Sequence, residues 1–139
     1  MKNLSGQSNT TQGLISFRAG EYLADKNGYI ARVDVDTDGE ACIKLATHAS
    51  HRAAYVIIDG DDKGKTVSVL PLSPDRQIRA KWQVGTAPPG TRIGVSTHGM
   101  LITANPTQSG RWSIGILEEP ARTGGHFVAF RPLPEFLKT

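Results

Sequence analysis

The clearest indication of the fold lies in residues 90–132, GTRIGVSTHGMLITANPTQSGRWSIGILEEPARTGGHFVAFRP. Gly, Pro, Asn, Ser and Thr divide it into four short apolar runs: Arg92–Val95, Met100–Thr103, Trp112–Leu117 and His126–Arg131. Short apolar runs between turn residues are typical of a β-meander. Within such a strand, successive side chains point to opposite faces, which agrees with the alternation of the last two runs. The stretch therefore predicts a compact all-β body.

The composition supports many turns and few helices. The chain has 139 residues with 15 Gly and 8 Pro, which is enough for one domain with one core. Its single cysteine, Cys42, excludes an intramolecular disulfide, and no Cys/His grouping has the spacing of a structural zinc site. Because no long apolar run and no hydrophobic leader are present, we expect a soluble protein made in the cytoplasm, with no membrane partner.

A hairpin is predicted around residues 36–39. The sequence Asp-Thr-Asp-Gly lies there between the alternating runs 29–35 and 41–45, and an Asp-Gly pair in this position favours a tight turn. The loop also begins like an EF-hand calcium loop, with Asp34 as the first ligand. The twelfth position is Leu45 in place of glutamate, so the hairpin interpretation is preferred and no metal is expected.

Catalytic patterns are missing. Residues 46–54 have the most helical character and carry His48 and His51, but no third ligand of known spacing accompanies them. The glycine-lysine-threonine ending of residues 60–66 is one residue short of a phosphate-binding loop, and a strand follows it where a helix is needed. We expect no cofactor and no enzymatic activity; a hydrolase would depend on His48, His51 and His98 alone.

The ends of the chain and one strand are the candidate contact sites. Residues 1–13 are mostly polar and predict an arm, residues 14–132 predict a single β domain, and residues 133–139 predict a tail, because Pro132 and Pro134 are expected to end the sheet. The run 77–84 predicts a strand with one apolar and one cationic face, which either contacts a partner or discourages aggregation. The predicted contact residues are Asn3, Leu4, Gln7, Asn9, Arg79, Lys81, Phe136 and Leu137.

The order of several short motifs resembles a known family. Ala-Gly-Glu at 19–21, Thr-Val-Ser-Val at 66–69, Ser-Ile-Gly-Ile-Leu-Glu-Glu-Pro-Ala at 113–121 and Gly-Gly-His-Phe-Val-Ala-Phe at 124–130 are similar to segments of capsid cement, or decoration, proteins of tailed bacteriophages. The resemblance implies a non-enzymatic β protein that binds the outside of an assembled head. The arm and the tail are not parts of the shared pattern, so the resemblance does not say which surface meets the shell.

These observations together give one expectation and one alternative. We expect a sandwich or barrel of eight to ten short strands, jelly-roll-like, that stabilises the exterior of a virion by contacting the major capsid protein and further copies of itself as a homodimer or homotrimer. No direct nucleic-acid contact is expected in that case. The alternative is a small β-barrel that binds nucleic acid or sugar, suggested by the sequence pI of about 9.2 and the arginine-bearing strands.

Overall fold

The computed structural model describes residues 13–47, 51–104, 111–122 and 124–137, apart from the side chains of residues 111–112 and 134–137. Ten strands and no helix lie in these ranges, so nothing described there is a helix that could span a membrane. The strands are β1 (Ile15–Ala19), β2 (Ile30–Val35), β3 (Ala41–Leu45), β4 (Tyr55–Asp59), β5 (Thr66–Pro71), β6 (Ile78–Lys81), β7 (Arg92–Val95), β8 (Leu101–Thr103), β9 (Arg111–Leu117) and β10 (Phe127–Leu137). The all-β prediction is confirmed.

The first five strands form a closed barrel in the order β1-β3-β2-β4-β5. β2 and β3 form the predicted hairpin, with Gly39 at a φ of 81° and its N–H 3.0 Å from the carbonyl oxygen of Asp36. β4 and β5 form a second hairpin, and β1 closes the barrel by pairing antiparallel to β5 and parallel to β3. Barrel closure removes open strand edges, which otherwise invite aggregation.

The second sheet has the order β6-β10-β9-β7-β8. A simple meander would place β8 between β7 and β9, so that prediction is wrong in its strand order. β8 pairs with β7 on one side, and on the other its Leu101 bridges to Trp82 and accepts a hydrogen bond from the N–H of Gln83 at 3.0 Å. Because both sides of β8 are occupied in this way, β9 pairs with the remaining edge of β7.

Two apolar clusters hold the sheets. One belongs to the barrel and includes the fully buried Ile43, Ile57 and Val69. The larger one contains barrel residues such as Leu70 and second-sheet residues such as Phe130, and therefore joins the two sheets through one continuous core. Full burial of side chains of this size contributes about 1.5–3 kcal/mol each, so this shared core ties the sheet to the barrel.

Two other local predictions are wrong. The described parts of the proposed helical segment, residues 46–47 and 51–54, are irregular. The prolines were expected to end the sheet, but β10 continues through Pro132 and pairs with β9 as far as Leu137. A shift of register between Pro132 and Glu135 absorbs the intervening residues, because a bulge tolerates positions that cannot donate a ladder hydrogen bond. The jelly-roll arrangement is not confirmed, and the division into arm, domain and tail stays a prediction.

Candidate interaction surface

The two predicted cationic contact residues lie on the outer face of the β6–β10 ladder. Arg79 and Lys81 alternate with Ile78 and Ala80, which are fully buried in the core. Across the ladder, Arg79 is opposite Ala129 and Lys81 is opposite Phe127. Directly paired residues share a face of a sheet, so Lys81 and Phe127 lie side by side on the surface away from the core.

The arginines of this face have carboxylate partners. The Arg79 guanidinium lies 3.3 Å from Glu119, whose carboxylate also accepts the Ala129 N–H at 2.8 Å. The Nε of Arg131 lies 3.1 Å from Glu118. Hydrogen bonds from the side chains of Gln77 and then Arg131 lower the pKa of Glu118 below its ordinary value. The charges in this part of the face are therefore compensated within the chain.

Lys81 differs, because it has an aromatic environment and no carboxylate within salt-bridge distance among the described residues. Its Nζ lies 5.9 Å from the centroid of the Tyr29 ring, and the Nζ of Lys26 lies 5.2 Å from the same centroid. Each cation–π contact of this kind contributes about 0.5–1 kcal/mol near the surface. Lys26 also forms an ion pair with Asp25 at 3.2 Å.

Phe127 is the aromatic residue paired with Lys81 across the β6–β10 ladder. A Cβ added at Gly28 would lie 2.5 Å from two atoms of the Phe127 ring, so the ring packs directly on the glycine backbone. The Lys81 N–H donates to the Gly28 carbonyl oxygen at 2.9 Å and fixes the loop before β2 against β6. Phe127 remains 39% exposed. We call Lys26, Tyr29, Lys81 and Phe127 the lysine–aromatic surface.

The hairpin of β2 and β3 carries the opposite charge, and its carboxylates form ion pairs within the chain. The Arg18 guanidinium lies 2.6 Å from Glu40, 3.3 Å from Asp36 and 3.9 Å from Asp38. The pKa of Asp34 is lowered to about 2, mainly by the hydrogen bond from the Val35 N–H and further by hydrogen bonds from the side chains of Lys44 and Arg32. No group of three or more possible metal ligands occurs in the described ranges. The tip is therefore a charged turn that the chain itself stabilises.

The other predicted contact residues cannot be placed on this surface. Asn3, Leu4, Gln7 and Asn9 lie outside the described residues, whereas Phe136 and Leu137 belong to the β10 backbone, with undescribed side chains. Sequence reasoning missed Lys26, Tyr29 and Phe127. No local pattern marks them, because they come from separate segments that meet only when the loop before β2 packs on β6 and β10.

His51 and His98 each have a local contact in the described structure. His51 accepts the Thr47 N–H through Nδ1 at 3.2 Å, while the Nδ1 of His98 lies 3.4 Å from the hydroxyl oxygen of its neighbour Thr97. His51 precedes β4 and His98 lies in the turn between β7 and β8. His48 lies outside the described residues. The hypothesis of a hydrolase thus gains no support from these contacts.

Comparison with known proteins gives a likeness of fold. The chain is an all-β protein in which a closed five-stranded barrel shares its core with a second five-stranded sheet. A similar arrangement occurs in the head fiber gp8.5 N base of bacteriophage phi29, with a TM-score of 0.64 and 18% sequence identity over 91% of this chain and 98% of that chain. No protein-family model and no curated protein matches the sequence.

Proposed function

We propose that the chain is a structural virion protein that binds the outer surface of an assembled phage head and cements neighbouring major-capsid subunits. The observation that carries this proposal is the fold shared with almost the whole phi29 head fiber base, 98% of that chain. The capsid-cement resemblance of the segments 113–121 and 124–130 points to the same class of protein. A non-enzymatic role fits this class.

Cementing requires modest contacts repeated many times. A single small domain offers limited area for binding, but copies arranged by the symmetry of a shell can add many weak contacts into a large total stabilisation. Homodimers or homotrimers at symmetry axes would serve this purpose. The contact residues proposed are Asn3, Leu4, Gln7, Asn9, Arg79, Lys81, Phe136 and Leu137.

Attachment and cementing are tested separately. Heads are purified from a source virus from which the gene has been deleted, and purified protein is added back in increasing amounts. Saturable co-sedimentation is the expected result for attachment. For cementing, heads with and without the protein are heated with a DNA-binding dye, and occupied heads should release DNA at a higher temperature. Failure of the purified protein to bind the heads would contradict the proposal. Binding without a change in the temperature of DNA release would support attachment and contradict cementing.

The alternative is a binding module for nucleic acid or sugar. The specific observation in its favour is the lysine–aromatic surface, since stacking rings beside cations are used to hold bases and sugar rings. Binding of a single-stranded oligonucleotide that weakens steeply between two salt concentrations would support it. Absence of binding to oligonucleotides and to a panel of glycans would exclude it.

A further inference from the structure

We propose that the lysine–aromatic surface is the part of this chain that docks on an acidic protein surface of the shell, with a carboxylate against Lys81 and an apolar side chain against Phe127. This inference rests on the proposed function and adds to it the chemistry of the partner. It replaces the general idea of a cationic strand face with a group drawn from the loop before β2, from β6 and from β10.

The distribution of charge singles out this group. Along the outer face of β6 and β10, Arg79 and Arg131 already contact Glu119 and Glu118. Lys81 contacts an aromatic ring and no carboxylate among the described residues. An external carboxylate therefore gains a new charge-assisted hydrogen bond at Lys81, whereas at either arginine, or at Lys26 beside Asp25, it would compete with an existing partner.

The second argument is the shape of the group. The ammonium groups of Lys26 and Lys81 lie 5.2 and 5.9 Å from the centroid of the same Tyr29 ring, which restrains both lysines. Phe127, which is 39% exposed, is held in place by the backbone of Gly28. A restrained apolar anchor beside cations is suited to protein docking, because little side-chain freedom is lost on binding.

An acidic protein is favoured over a nucleic acid by the number of cations. Tracking a phosphate backbone requires a row of basic residues, whereas this surface has two lysines, and Lys26 is 3.2 Å from Asp25. The nearest cation along β6, Arg79, is paired with Glu119. Two lysines beside one apolar ring fit a small cluster of carboxylates better than a continuous polyanion.

The test compares two double variants that change the net charge equally. Lys26→Glu/Lys81→Glu reverses the proposed surface. Lys63→Glu/Arg122→Glu is the matched control, because both residues are exposed and lie outside this surface. Binding to gene-deleted heads is measured by co-sedimentation after circular dichroism and thermal unfolding establish that each variant is folded. We expect about tenfold or greater loss of affinity for the first variant and about twofold or less for the control.

Lysine footprinting gives a readout that needs no variant. Native protein, free or bound to heads, is acetylated briefly and analysed by mass spectrometry. Lys26 and Lys81 should become protected on binding, while Lys63 keeps its reactivity. If Lys26 and Lys81 react equally in the free and bound states, the inference is overturned even where a variant is misfolded.

The remaining outcomes separate the possible failures. If the wild-type protein does not bind heads, both the proposed function and this inference are refuted. If the wild type binds and the two double variants bind equally well or equally poorly, only the inference fails. If a thymidine oligonucleotide binds the wild type in a salt-dependent manner and the Lys26→Glu/Lys81→Glu variant does not bind it, the surface belongs to nucleic-acid recognition and the proposal is overturned.

Discussion

Replacement of Gly115 by alanine should destabilise the fold strongly. Gly115 lies in β9, opposite Pro132 of β10 and Ile93 of β7. An added Cβ would overlap the carbonyl oxygen of Arg131 and lie 2.9 Å from Cδ2 of Phe130. Relief requires β9 and β10 to separate by about 1 Å, which disrupts about two ladder hydrogen bonds at about 1 kcal/mol each and adds an overpacking cost of about 1–3 kcal/mol. We expect a loss of about 3–5 kcal/mol.

Gly125→Ala is the matched control for this substitution. Gly125 has a φ of 93° and no atom within 4 Å of an added Cβ, so its replacement costs only backbone strain, about 1 kcal/mol. Both variants are unfolded in urea, and the free energies of unfolding are compared at similar m-values. A loss for Gly115→Ala below about 1 kcal/mol, or equal to that of Gly125→Ala, would refute the close approach of β9 and β10.

Three further predictions concern single residues. Trp82→Phe should lower the free energy of unfolding by about 1–2 kcal/mol in urea titrations, because it removes volume from the core and the 3.0 Å hydrogen bond from Nε1 to the Gly85 carbonyl. The pKa values of Asp34 and Asp36 are lowered in the folded state, so the unfolded chain takes up protons first as the pH falls below about 4; the urea midpoint should therefore decrease from pH 4 towards pH 2, and Asp34→Asn should reduce the decrease. Burial raises the pKa of the Cys42 thiol, which is 0% exposed, so a disulfide reagent should label it only on unfolding, and rapid labelling of the native protein would contradict its position.

The sequence predicted local elements better than their arrangement. The hairpin at residues 36–39 was readable because the Asp-Gly turn and the alternating runs on both sides act over a few residues. The position of β8 in the sheet could not be predicted, because it depends on a bridge between Leu101 and Trp82. These residues are nineteen positions apart, and no local pattern encodes their pairing. Helical character was predicted for the segment 46–54, but its Ala46 and Ala53 are buried core residues beside the barrel.

The candidate surface was predictable only in part. Arg79 and Lys81 were found because alternation with buried residues is visible along β6. The difference between them was not visible, since it depends on Glu119 reaching Arg79 while Tyr29 reaches Lys81. Both partners come from distant parts of the chain. The sequence thus gives the face that a charged residue occupies, but not whether that charge is already neutralised there.

Pro132 and Pro134 protect the open edge of β10 where this strand extends beyond β6. β6 pairs with β10 only along residues 127–130, so on that side the described structure has no strand beside residues 131–137. Such an edge would normally offer a row of N–H donors to another strand. Pro132 and Pro134 have no N–H to offer, which limits continuous pairing with a foreign strand while β9 still holds the extension from its other side. Prolines, which weaken a central strand, therefore protect this edge strand from continuous pairing with another strand.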